Sequence, residues 1–370
     1  MQEVPRKIPM ATLEDFIKYL KQYRCEKSQT FTHTSIDNPK GKYCIPDDKL
    51  DEFLTCYKRA VIHRVPLHMT EKPKPLSPMR VDLDFRFVKP EDKLPRLYTV
   101  EHIHRIVLEY CKVIVQYIDV QKPFKAYVME KPAPTDHRGK VKDGLHIVFP
   151  EIVCQASFQH LVRKQILDNA ETIFKDIPVC NSFSDVIDEA IIEHNNWQMY
   201  GSTKPGCATY KVTHVLEYDA DGDGDGGDAD GDENGGRGNG GCGTLRECSE
   251  LSPEEEFGLS TLLSMRNKNV ETPLRIDKRK EVEEYVRYVL PTNDDRRKNK
   301  LHSQILGLDI NYTNNKASDD DFKFAKDLVT RCLKYERAER YDDWIKLGWC
   351  LRNIDYKLMD TWIEFSKMSS

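Results

Sequence analysis

Residues 77–87, "SPMRVDLDFRF", set two carboxylates, Asp82 and Asp84, inside an otherwise apolar run. The run reads as a strand. Side chains on a strand alternate, so the two acids share one face with roughly 6–7 Å between them along the chain. On a partly buried face, two ionised groups cost several kcal/mol unless a cation or donor lies beside them. A divalent metal meets that need, and so does an edge strand whose polar face meets water. The rest of the chain decides between the two.

The chain has 370 residues, enough for two domains and a sizeable core. No run approaches the roughly 18 apolar residues of a membrane span. The N-terminus "MQEVPRKIPMATLEDF" has no apolar signal region, which predicts an intracellular protein. Eleven cysteines are scattered without a C-x-x-C pair, as expected for reduced thiols. The closest pair, Cys242 and Cys248, is the best cysteine candidate for zinc. The formal charge of −5 comes from one segment, residues 219–243. Removing its eight acids and single base leaves the remainder at +2. A mildly basic body is compatible with nucleic acid without requiring it.

A capped amphipathic helix opens the chain at Thr12 with Leu13, Phe16, Ile17 and Leu20. Pro73, Pro75 and Pro78 punctuate the approach to the acid pair. The stretch 100–118 reads as a long helix, "KAYVMEK" and "GLHIVFP" as short strands, and 156–176 as a second long helix. "WQMYGSTKPG" and "TYKVTHVLEY" then read as strand, turn and strand. This alternation predicts an α+β or α/β core, mixed rather than purely parallel. The Asp/Gly tract 219–243 superficially resembles an EF-hand loop, but it lacks the flanking helices and its glycines make ordering costly. It is expected to be a disordered insertion. "PTNDDRRKNKLHSQ" is a plausible boundary, after which capped helices from Ser318 onward form a small helical module.

Three further segments carry chemistry. In "KVKDGLHIVFP", Lys142, Gly144 and His146 alternate onto one face, and the glycine would admit a phosphate close to the backbone. In "FSDVIDEAII", Asp188 is a third acid, with Asp185 as its competitor. In "YGSTKPG", Gly201, Ser202 and Lys204 form a turn able to hold phosphate oxygens. Three carboxylates, a histidine and two lysines suit metal-dependent nucleotidyl transfer.

The ordered set "VDLDF", "KDGLH" and "VID…WQMYGSTKP" resembles the catalytic motifs of the archaeo-eukaryotic primase superfamily. The phrases "MEKPAP…KDGLHIVFP" and "NNWQMYGSTKPG" are most similar to the primase domain of helicase-primases from nucleocytoplasmic large DNA viruses. The helices with "YDDWIKLGWCLRNI" and "WIEFSK" resemble the helical domain between such a primase and its helicase. The resemblance implies an RRM-like catalytic half packed on a second α/β half, followed by a small all-α module. It implies Asp82, Asp84 and Asp188 as ligands of two Mg²⁺ or Mn²⁺ ions. Lys142, Gly144, His146, Ser202 and Lys204 would contact the nucleotide, with Arg80 as a candidate for nucleotide or template.

The expected organisation is an N-terminal helical segment (1–44), a catalytic core (45–295) and a helical module (315–370), with the chain ending before a helicase domain. The implied activity is a DNA primase, or primase-polymerase, using NTP or dNTP on single-stranded DNA. Its partner would be the helicase domain of the same polypeptide, its place the host cytoplasm, and no membrane is involved. Two rivals are a catalytically silent platform for single-stranded or origin DNA and a metal-dependent nuclease.

Overall fold

The computed structural model describes residues 13–26, 30–90, 93–221, 243–248, 250–267, 270–288, 319–334, 336–339 and 341–367. The chain divides into two compact units, Met1–Leu290 and Pro291–Ser370. Among the described residues no helix is long and apolar enough to cross a membrane.

The first unit holds two sheets, in which every described strand pairing is antiparallel. The chain is thus α+β, and its sheets are antiparallel rather than parallel. The smaller sheet has the order β2-β1-β3-β8, formed by β1 (His33–Ser35), β2 (Gly41–Tyr43), β3 (Met69–Glu71) and β8 (Trp197–Gln198). The helices α1 (Leu13–Lys21) and α2 (Leu50–Ile62) share its core, where Phe16, Leu20, Phe53, Tyr57, Met69 and Met199 are buried together. Among the described residues, the segment 1–44, expected to be helical, contributes one helix and then a hairpin. His33–Ser35 and Gly41–Tyr43 are each too short to show a period of their own.

The larger sheet runs β10-β9-β5-β7-β4, with β6 (Thr135–His137) pairing off β7. Its strands are β4 (Leu76–Val88), β5 (Phe124–Glu130), β7 (Lys140–Gln155), β9 (Lys211–Asp219) and β10 (Thr244–Glu247). Met79, Val81, Leu83, Phe85 and Phe87 alternate along β4 and are all buried, in one core with Ile103, Ile106, Tyr110 and Ile114 of α3 (Val100–Tyr117) and with α4 (Ala156–Asp168). Burying each such side chain stabilises by roughly 1.5–3 kcal/mol. The intervening positions of β4 carry Arg80, Asp82, Asp84 and Arg86 on the other face. Over that face a further cluster gathers Tyr127, Met129, Val148, Trp197 and Val215 with Leu259 and Leu263, near α8 (Pro253–Leu262).

Between α4 and β8 come three short helices, α5 (Ala170–Ile173), α6 (Phe183–Val186) and α7 (Ala190–Glu193). The first unit closes with α9 (Arg279–Tyr288). The second unit is helical throughout its described residues: α10 (Asp319–Asp327), a π-helical turn (Leu328–Cys332), α11 (Glu336–Glu339), α12 (Tyr341–Ile354) and α13 (Met359–Ser366). Trp344 and Trp362 stack at 4.5 Å, and Phe365, Leu351, Val329 and Ala325 form its core. Helix caps at Thr12 and Ser318, the boundary at 291–304, Cys242 and almost all of the Asp/Gly tract lie outside the described residues.

Candidate active site

The site is built on the pairing of β4 with β7. Asp82 stands opposite His146, Asp84 opposite Gly144 and Arg86 opposite Lys142. This register brings "VDLDF" and "KDGLH" onto one face, since directly opposed side chains of an antiparallel pair are neighbours. Lys142 Nζ reaches diagonally to within 2.9 Å of both carboxylate oxygens of Asp84. His146 Nε2 lies 3.5 Å from Asp82 Oδ1.

β4 is an edge strand, and its free edge takes the third acid. Leu83 bridges to Ile187, and the Asp188 amide donates to the Asp82 carbonyl at 3.0 Å. Asp188 Oδ1 also accepts from the Ala190 amide, at the start of α7, at 2.8 Å. Asp185 is occupied differently. It is exposed, and its carboxylate accepts from the Ser182 hydroxyl at 2.7 Å within α6.

Burial, followed by the charges of Asp84 and Asp188, pushes the Asp82 carboxyl up to about 7, against the pull of Lys142 and Lys204. Its Oδ1 is buried without a hydrogen-bond partner. A carboxylate oxygen in that position is costly unless a cation takes it. Asp82, Asp84 and Asp188 together make an all-oxygen donor set, which fits hard ions such as Mg²⁺ or Mn²⁺. The three acids are more open than a closed metal cage. Among the described residues, the three-residue donor group with all ligand atoms within 4.8 Å is a different one, His104, His214 and Glu247.

His146 is buried, stacked on Tyr210 at 3.8 Å between ring centroids and tilted against Trp197 at 4.8 Å. Burial, then the ammoniums of Lys131, Lys204 and Lys142, push its pKa down to about 3, so the imidazole is neutral. Lys131, with its Nζ 4.9 Å from the Tyr210 ring centroid, is itself lowered by burial and by the neighbouring lysines. Lys204 is exposed on the turn after Gly201, whose φ of +86° and lack of a Cβ let Val61 approach.

Three residues expected at the nucleotide also make structural contacts. Arg80 is buried, with Nε and Nη2 donating to the Ile191 and Ile192 carbonyls and Nη1 to Ser77 Oγ. Ser202 is buried too. Its hydroxyl accepts from the Met69 amide at 2.9 Å and meets Tyr57 Oη at 2.8 Å, which joins the turn to the smaller sheet. At Gly144 the space of a Cβ is taken by the Leu83 carbonyl oxygen, 2.1 Å from where that carbon would sit. The glycine is what lets β4 and β7 approach this closely.

Sequence reasoning missed Lys131 and Tyr210. Their signal was only their placement inside "MEKPAP" and "TYKVTHVLEY". It also missed a buried network beside β7. Arg96 donates to Glu130 at 2.7 Å and to Asp143 at 2.9 Å, while Tyr98 and Thr213 donate to Glu130 at 2.9 and 2.6 Å. Burial opposes ionisation of Glu130, but bonds from His214, Thr213 and Tyr98 and the charge of Arg96 prevail and bring it down to about 2.

Residues 32–216 match the family described as "C962R protein N-terminal AEP domain", and residues 326–370 match "Primase C terminal 2 (PriCT-2)". The chain is similar to a protein of Acanthamoeba polyphaga mimivirus provisionally named a helicase, at 31% identity over 96% of this chain and 36% of that protein. It is also similar to provisionally named helicases of Invertebrate iridescent virus 6 (26% identity, 51% of this chain, 22% of that protein) and Invertebrate iridescent virus 3 (22%, 92% and 35%). It thus spans about a third or less of the length of these relatives. A β4–β7 register that joins the acid pair to the histidine motif, together with these matches, leads to one assignment: the chain belongs to the archaeo-eukaryotic primases, in the family of the C962R protein N-terminal AEP domain.

Proposed function

We propose that the chain is the primase, or primase-polymerase, part of a viral helicase-primase, and that it joins nucleotides on single-stranded DNA. The observation that carries this reading is the convergence of Asp82, Asp84 and Asp188 around one strand edge, with Asp82 Oδ1 unpartnered and Lys142, Lys131 and Lys204 beside them. In the proposed reaction a 3′-hydroxyl oxygen attacks the α-phosphorus of an NTP or dNTP. The bond to the β-phosphate breaks, pyrophosphate leaves and the hydroxyl proton passes to solvent. Mg²⁺ or Mn²⁺ held by Asp82, Asp84 and Asp188 would activate the hydroxyl and neutralise the α-phosphate.

The protein residues position and neutralise. Lys142, which pairs with Asp84 here, would be free to meet the β- and γ-phosphates were a cation to take that carboxylate, with Lys204 and Lys131 alongside. Neutral His146, held flat by Tyr210, can donate one hydrogen bond to a phosphate oxygen without adding charge. We read residues 45–295 as the catalytic core and 315–370 as the helical module that precedes a helicase domain. The names of the viral relatives support that partner and a place of action inside the infected cell.

The test is primer synthesis on unprimed single-stranded DNA with Mg²⁺ or Mn²⁺, comparing the chain with Asp82→Ala/Asp84→Ala. The expected result is oligonucleotide product from the parent chain and none from the variant. Product surviving the change would refute the metal assignment. Template cleavage without synthesis would favour a nuclease, and DNA binding with neither activity a silent platform.

A further inference from the structure

A second cluster of metal-donor side chains lies away from the acid face, where α3 meets the outer strands β9 and β10. It comprises His104 of α3, His214 of β9 and Glu247 of β10, whose ligand atoms all lie within 4.8 Å of one another. Glu247 bridges the two rings. Its Oε2 is 3.3 Å from His104 Nε2, and its Oε1 is 2.7 Å from His214 Nδ1. Donor atoms at the corners of a zinc tetrahedron, with bonds of about 2.0–2.1 Å, stand about 3.3 Å apart, so small side-chain shifts close the set.

Two further observations point to a ligand. His104 Nε2 is buried and makes no well-formed hydrogen bond, with Glu247 Oε2 at 3.3 Å as its neighbour in the cluster. His214 faces the cluster with Nδ1 and has its other nitrogen, Nε2, 3.6 Å from Glu130 Oε2, a buried carboxylate fixed by Arg96, Tyr98 and Thr213. A metal-binding imidazole characteristically gives its second N–H to such a carboxylate, which fixes its tautomer and orientation.

We propose that His104, His214 and Glu247 bind one Zn²⁺, with water at the fourth position, and that the ion cross-links α3 to the β9–β10 edge. Two imidazoles and one carboxylate suit zinc, whereas Mg²⁺ prefers an all-oxygen shell such as the aspartate face. The zinc site is joined to the catalytic strand through His214, Glu130, Arg96 and Asp143, the residue between Lys142 and Gly144. Zinc thereby braces the face opposite Asp84 without touching substrate. On binding, His214 Nδ1 gives up its proton to solvent, and Nε2–H points to Glu130.

The experiment uses the full chain stripped of metal, titrated with Co²⁺ in excess Mg²⁺, and reads the visible d–d absorption of low-coordinate Co²⁺. The expected result is one equivalent bound, displaced by Zn²⁺, with affinity falling more than about 100-fold in His104→Ala and in Glu247→Gln, beyond the cost of losing an outer partner. Asp82→Ala/Asp84→Ala should titrate unchanged, which separates this site from the catalytic reading. As a second readout, Zn²⁺ should raise the unfolding temperature of the parent chain but not of His104→Ala. Absence of the absorption at stoichiometric Co²⁺, or equal affinity in the parent chain, His104→Ala and Glu247→Gln, would overturn the proposal.

Discussion

Asp185 and Asp188 sit three residues apart in sequence and do different work. Asp185 stays with Ser182 on an exposed turn, whereas the backbone of Asp188 is hydrogen-bonded to Asp82. Asp188→Asn should therefore lower primer synthesis on the order of 10²–10³-fold, the scale of one lost group that stabilises a transition state. Asp185→Asn should leave it nearly unchanged, and a steady-state synthesis assay on both variants checks this. The acid pair was legible in the sequence because a period of two is visible within one strand. The choice of third acid was not, because it depends on Ile187 meeting Leu83 across more than a hundred residues. The anchoring of Arg80 on the Ile191 and Ile192 carbonyls and of Ser202 on Tyr57 was hidden for the same reason, since those partners lie 111 to 145 positions away along the chain.

At the scale of elements, β4 and β7 form one long ribbon in which a catalytic register and a close backbone approach coincide. "GLHIVFP" reads as a short strand because its apolar core is short, yet β7 runs from Lys140 to Gln155, held by pairing to β4 on one side and to β5 and β6 on the other. A methyl group at position 144 would press on the Leu83 carbonyl, which belongs to backbone and cannot rotate away. Gly144→Ala should thus cost about 1–3 kcal/mol or more. It should appear as a lower urea midpoint with unchanged slope, accompanied by loss of synthesis because Asp84 and Lys142 lose their alignment.

For the whole molecule, the α+β character and the helical C-terminal module were legible from periodicity and from ordered motifs. The packing of the smaller sheet on the segment after α8 was not. That junction is sealed by Glu71, fully buried, which accepts from Ser264 Oγ and the Met265 amide, both at 2.8 Å. Burial pushes its carboxyl up to about 7, although these bonds and Arg266 pull the other way. The unfolded chain ionises this group near 4.5. Its contribution to stability is therefore complete below that pH and is lost as pH rises through about 7. Stability should fall on the order of 1 kcal/mol per pH unit across that window. Glu71→Gln should flatten the dependence, as read by urea unfolding on either side of the window.

The central claim is that this strand edge holds divalent metal and a nucleotide triphosphate together. The most direct measurement is the anomalous diffraction of Mn²⁺ in crystals grown with a non-hydrolysable nucleotide. The expected result is a Mn²⁺ peak bound by Asp82 and Asp84 with Asp188 beside it, Lys142 turned away from Asp84, and the triphosphate near His146 and Lys204. A nucleotide bound elsewhere, or Asp84 still paired with Lys142 and no Mn²⁺ peak at Asp82, would contradict it.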